Sequence, residues 1–90
     1  AIACGLERVA AFAPEALVLS LGLDAYEHDP LGGLAVTTQG FAAAANLIAR
    51  AGCPTVLIQE GGYLSDDLSR NLTAFMTGWK AATPNTGAPV

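Results

Sequence analysis

Two short stretches carry the residue types that chemistry needs. The first, SLGLDAYEHD, is an apolar run that stops at a carboxylate, Asp24. The second, VLIQEGGY, is an apolar run that stops at a glycine pair, Gly61 and Gly62, followed by a phenol, Tyr63. A carboxylate directly after a buried run must face solvent, cap backbone groups or bind a cation, because burying it unpaired is costly. A phenolic O–H is a neutral donor suited to a carbonyl oxygen that becomes an oxyanion, and glycines ahead of it allow close backbone approach. The neighbouring polar residues read differently. Asp29 precedes Pro30 and reads as a turn carboxylate accepting backbone N–H groups. His28, the one histidine, lies in a charged stretch with no partner at metal-ligand spacing and reads as a solvated rim residue. Ser20 has no histidine within a plausible nucleophile elbow, so a hydrolase triad is not supported.

These residues need elements to hold them. Ile2, Leu6, Val9 and Ala10 recur at helical spacing, which predicts a helix over about 2–12, ended by Pro14. Ala16 to Leu21 is a continuous apolar run of the kind found in a parallel-sheet strand covered on both faces. Between Gly22 and Thr37 no period holds, and long irregular connections in compact domains are more often functional than decorative. Thr37 or Thr38 is placed to cap a helix running to about Ala51, with Phe41, Ala44, Ala45 and Ile48 on one stripe. Gly52 suits a left-handed residue just past that helix, and Pro54 follows. Thr55 to Gln59 is a second buried strand. Ser65 is expected to cap a last helix whose first turn carries Asp66 and Asp67, where the helix dipole favours anions. Leu68, Leu72, Phe75, Met76 and Trp79 form its apolar face, and residues 83–90 read as a flexible tail.

Strand, helix and strand together make a β-α-β unit, whose crossover is right-handed with parallel strands in ~98% of cases. Asp24 and Tyr63 each follow the end of a strand. Both are therefore expected on the carboxyl edge of the sheet, where open α/β folds place their ligands.

Composition narrows the class of function. The 90 residues are 52% hydrophobic and only 13% charged, against about 25% charged in an average soluble domain. That is the composition of an interior, and it suggests a segment from a larger α/β protein, as does a start at Ala1 without an initiator methionine. Four Lys and Arg against eight Asp and Glu give a net charge of −4, with no basic run to neutralise phosphates, so nucleic acid is not expected as a direct ligand. No apolar run approaches the roughly 20 residues of a membrane span. Neither Gly22 nor Gly32 and Gly33 opens a helix as phosphate cradles do, which disfavours a nucleotide site. Cys4 and Cys53 stand apart among apolar neighbours and read as buried free thiols in a reducing cytoplasm.

In this order the motifs resemble a known family. SLGLDAYEHDPLGGLAVTTQGF followed by VLIQEGGY resembles the C-terminal part of the catalytic domain of the histone deacetylase and acetylpolyamine amidohydrolase superfamily, over roughly Pro14 to Trp79. The resemblance implies an α/β fold of which these residues are the β-α-β portion of a mostly parallel, three-layer, arginase/deacetylase-like sheet, with residues 1–82 belonging to the catalytic domain. It implies that Asp24 is one aspartate ligand of a catalytic zinc ion and that Tyr63 hydrogen-bonds the substrate carbonyl. Leu31 would line the acyl-lysine tunnel, and Gly61 and Gly62 would form the glycine floor beside it. The reaction implied is zinc-dependent hydrolysis of an amide in acetyl-lysine or an acetylpolyamine, releasing acetate. The family's Asp-X-His ligands and tandem histidines are absent from these residues, so the chain alone is expected to be inactive and to depend on the rest of its own catalytic domain. The other reading is a non-catalytic module, an acyl-binding or subunit-contact segment with a degenerate site.

Overall fold

The computed structural model describes residues 1–30 and 32–82; Leu31 and the tail expected over 83–90 lie outside the described residues. Helix α1 (Ile2–Phe12) leads to strand β1 (Leu17–Gly22), which runs directly into one turn of 3₁₀ helix, Leu23–Ala25. Helix α2 (Thr38–Ala49), strand β2 (Thr55–Glu60) and helix α3 (Asp66–Ala82) follow. The two strands pair in parallel, from Leu17 opposite Thr55 to Gly22 opposite Glu60. The β-α-β unit read from the sequence is therefore present, with element limits within a residue or two of those expected.

Local chemistry explains the boundaries. At the start of α2 the Thr37 side chain accepts a hydrogen bond from the Gly40 N–H at 2.9 Å, satisfying a donor that the helix itself cannot. Replacing Thr37 by Ala should cost about 1 kcal/mol of stability, measurable as a shift in the denaturation midpoint without a change in slope. Past α2, Gly52 takes φ 73°, as its position after the helix suggested. Helix α1 closes one residue earlier than Pro14, on Ala13 at φ 56°, whose N–H bonds the Val9 and Ala10 carbonyls.

One face of the sheet carries the core. Leu21, Leu23, Phe41, Ala45 and Phe75 form a buried cluster, with Leu19, Leu57, Leu68, Leu72 and Trp79 packed against it. Strand side chains alternate between faces, so Val18 and Ser20 on β1 and Val56 and Ile58 on β2 turn the other way. Val18, Val56 and Ile58 are 67%, 60% and 48% exposed. Among the described residues the strands are covered on one face only. The described helices contact only one side, and the runs are apolar on the open side as well. Met76 and Cys4, expected inside, are also exposed; Met76 falls at the margin of the α3 stripe, and α1 has no buried residue at all.

Helices α2 and α3 approach to backbone contact. Gly78 is buried, and a Cβ there would run into the Ala42 carbonyl, while the Asn46 amide donates to the Gly78 carbonyl at 3.2 Å. Because the obstacle is backbone, neither helix can yield locally. Gly78→Ala should destabilise the protein by about 1–3 kcal/mol, lowering its unfolding temperature although alanine is the better helix former. Asn71, only 1% exposed, accepts a hydrogen bond from the Thr38 hydroxyl at 2.7 Å and so ties α3 to the start of α2. No helix among the described residues is long and apolar enough to cross a membrane.

Candidate functional site

The strands end level with each other, Gly22 opposite Glu60. The chain segments that leave them, Leu23-Asp24 and Gly61-Gly62-Tyr63, therefore emerge side by side at the carboxyl edge. Gly61 lies against the Asp24 side chain: a Cβ on Gly61 would stand 3.1 Å from Asp24 Cγ and 3.2 Å from its Oδ1. Gly61 and Gly62 have φ 70° and 101°, a backbone that L side chains rarely adopt. This turn bends the chain so that Tyr63 faces outward. Gly62 is wedged between Leu23 and Leu68, and a side chain there would strike the Leu68 δ-carbon. The tyrosine turn is thus seated on both the 3₁₀ turn and α3.

The long loop after β1 is more ordered than its lack of period suggested. Tyr26 and Val36 form an isolated parallel bridge, with Glu27 N–H bonded to the Val36 carbonyl at 2.9 Å and Val36 N–H to the Ala25 carbonyl at 3.0 Å. Within it, Asp29 N–H bonds the Tyr26 carbonyl at 3.1 Å and Gly32 N–H bonds the Asp29 carbonyl at 3.2 Å. Asp29 stands where two turns meet, through its backbone N–H and carbonyl. A Cβ on Gly32 would fall 2.8 Å from the Asp24 carbonyl oxygen, so the loop folds back onto the residue that begins it.

Asp24 itself is exposed, and no donor among the described residues bonds its oxygens. It lies within the 3₁₀ turn and does not cap it; the N-cap position is Gly22. Its surroundings fit a cation ligand in one respect, since glycines on two sides leave the carboxylate sterically open. Among the described residues no three His, Cys, Asp or Glu side chains gather into a metal-binding group. Asp24 would therefore be one ligand of several.

Beside the tyrosine turn lies a cavity of about 220 Å³. Tyr63, His28, Asp29, Tyr26, Asp67 and Asn71 contribute to its lining, which brings together Tyr63 and the rim residues of the long loop. Tyr63 is 63% exposed, so its hydroxyl is available to a ligand. His28 is exposed and meets the Tyr26 ring edge-on at 5.4 Å, in keeping with a rim position. Ser65, expected to cap α3, donates its hydroxyl to the Tyr63 carbonyl at 3.4 Å. The sequence alone does not mark the polar members from α3 as site residues. Asp67 read as a first-turn carboxylate, and it also pairs with Arg70 at 2.9 Å; Asn71 interrupts an otherwise apolar stripe, which was the available signal. The proposed tunnel residue Leu31 lies outside the described residues.

Comparison with known proteins gives this edge a context. The histone deacetylase domain model matches residues 3–79. An acetylpolyamine amidohydrolase of Burkholderia pseudomallei is 47% identical over 76 residues, which is 84% of this chain and 22% of that protein. The acetylpolyamine amidohydrolase of Mycoplana ramosa is 35% identical, covering 87% of this chain and 23% of that protein. Arabidopsis thaliana histone deacetylase 15 is 30% identical over 94% of this chain and 16% of its own length. A crystal structure of the Burkholderia pseudomallei acetylpolyamine aminohydrolase, soaked with iodide, superposes with a TM-score of 0.86 at 44% identity, over 90% of this chain and 24% of that one. The chain thus spans about a quarter of the length of the amidohydrolases it resembles. Its α/β fold is one part of theirs, and the chain belongs to the histone deacetylase domain family.

Proposed function

We propose that these residues form the part of a zinc-dependent deacylase that carries one metal ligand and the substrate-carbonyl donor. In this reading Asp24 is the ligand, Tyr63 the donor, Gly61 and Gly62 the floor between them, and Leu31 a wall of the acyl channel. The observation that carries the reading is the contact between Gly61 and the Asp24 carboxylate, which puts a possible metal ligand next to the turn presenting the phenol. A catalytic zinc takes three protein ligands and keeps one position open. Asp24 supplies one, and the others would come from outside these residues. When bound, zinc supplies the Lewis-acid chemistry of amide hydrolysis.

The chain's own residues would do the rest of the positioning. Tyr63 donates its hydroxyl proton in a hydrogen bond to the amide oxygen, which strengthens as that oxygen becomes anionic. Gly61 and Gly62 have no side chains to block a thin acyl group from reaching the carbonyl-binding point. The substrate we favour is an acetylated polyamine, given the amidohydrolases among the most similar relatives, with acetyl-lysine as the other amide of the same chemistry. The apolar strip of Val18, Val56 and Ile58 would be covered by the remainder of the catalytic domain. Assaying the full-length protein on acetylputrescine and on an acetyl-lysine peptide, with and without chelator, tests the reading. Chelator-sensitive acetate release from either substrate supports it, and a higher kcat/KM on the diamine supports the substrate assignment. Release of no acetate from a zinc-loaded, folded protein would leave the non-catalytic module.

A further inference from the structure

We infer that Gly22 is a positioning residue for the Asp24 carboxylate, lacking a side chain because the carboxylate occupies the space that one would fill. This inference rests on the reading of Asp24 as a metal ligand. Gly22 has φ −88° and ψ 103°, an extended backbone that any residue adopts. It is the last residue of β1, paired in register with Glu60, and no conformational demand there calls for glycine. What a side chain would meet is Asp24. An ideal Cβ on Gly22 falls 2.9 Å from Asp24 Oδ1, well inside the separation at which non-bonded atoms attract. From the other strand, Gly61 closes in on the same carboxylate, with its Cβ position 3.2 Å from Oδ1 and 3.4 Å from Oδ2. The carboxylate therefore lies in a slot walled by one glycine from each strand end. Gly61 has a second reason to be glycine, its φ of 70°; Gly22 does not.

The consequence of filling the slot follows from which atoms can move. Asp24 is exposed, and its oxygens have no protein donor among the described residues. A methyl group at position 22 would be accommodated by turning that side chain, at little cost to the fold. The oxygens would then point elsewhere, and a metal ion depends on where they point. Groups that orient ligands without touching the metal typically change metal affinity by about 10- to 100-fold.

The test uses the full-length protein, stripped of metal and titrated with zinc against a chromophoric chelator. Gly22→Ala should bind zinc about 10- to 100-fold more weakly, with an altered visible spectrum when loaded with cobalt. Its metal-free unfolding temperature should match that of the wild type. Gly33→Ala, where a Cβ meets nothing within 4 Å, should change none of these. Wild-type zinc affinity in Gly22→Ala, with affinity lost in Asp24→Asn, overturns the role of Gly22 alone. Wild-type affinity in Asp24→Asn overturns the ligand reading beneath it. If Gly22→Ala does not fold, Gly22→Ala with Asp24→Ala decides: recovered folding supports competition for the slot, and continued failure assigns Gly22 to the backbone and overturns the inference.

Discussion

Tyr63→Phe in the full-length protein is expected to lower kcat by about 10²- to 10³-fold, the usual cost of removing one oxyanion donor. KM should change little, because the lost hydrogen bond is one that strengthens as charge develops on the carbonyl. The fold should not respond. Tyr63 is 63% exposed, its ring stays in the variant, and the turn that presents it is set by Gly61 and Gly62 at positive φ, not by the hydroxyl. Steady-state kinetics together with a thermal melt check this. Unchanged kcat in a protein that melts normally would remove Tyr63 from the reaction and leave its exposure unexplained by catalysis.

Asp24→Asn is expected to have the second large effect, this time on metal content. The substitution preserves shape but exchanges the anionic carboxylate for a neutral amide, whose remaining oxygen is a much weaker zinc ligand. Purified variant should carry substoichiometric zinc by elemental analysis, with activity falling in parallel. Stability gives an independent readout. A ligand that binds only the native state stabilises it in proportion to the logarithm of its concentration, by about 2.7 kcal/mol at 100 times Kd. Added zinc should therefore raise the unfolding temperature of the wild type and raise that of Asp24→Asn much less. The metal-free melts of the two should coincide, since the exposed carboxylate accepts no protein hydrogen bond among the described residues.

The two variants separate the two halves of the site. Loss of rate with full zinc in Tyr63→Phe, and loss of zinc in Asp24→Asn, would assign donor and ligand to different residues on neighbouring strand ends. Both residues failing in the same way would point to a general disturbance of the carboxyl edge, where Gly62 is already wedged between Leu23 and Leu68.

Some elements of this fold are legible locally because their signals are local. The Thr37 cap, the glycine after α2 and the apolar stripe through Phe75 each depend on residues within a turn or two of one another. Strand β2 is readable from TVLIQ because four successive apolar or β-branched positions, between Pro54 and a glycine pair, leave few alternatives. The long loop was not readable. Its order comes from the bridge between Tyr26 and Val36, a pairing between backbone groups that no side-chain period announces. The strip of Val18, Val56 and Ile58, exposed among the described residues, follows the same logic, since an apolar residue records the environment it suits and not which layers are present to cover it.

By itself, then, the sequence determined the element types, the two motifs and the family that their order resembles, because propensity, capping and periodicity act over a few residues. Only the tertiary structure decided that Asp24 lies between Gly22 and Gly61, that Gly62 rests on Leu23 and Leu68, and that Tyr63 shares a cavity with His28 and Asn71. Those contacts follow from the parallel register of β1 on β2, which brings together residues far apart in the chain. Ångström-scale approach between distant residues is fixed by how whole elements pack, and no single stretch of residues encodes it.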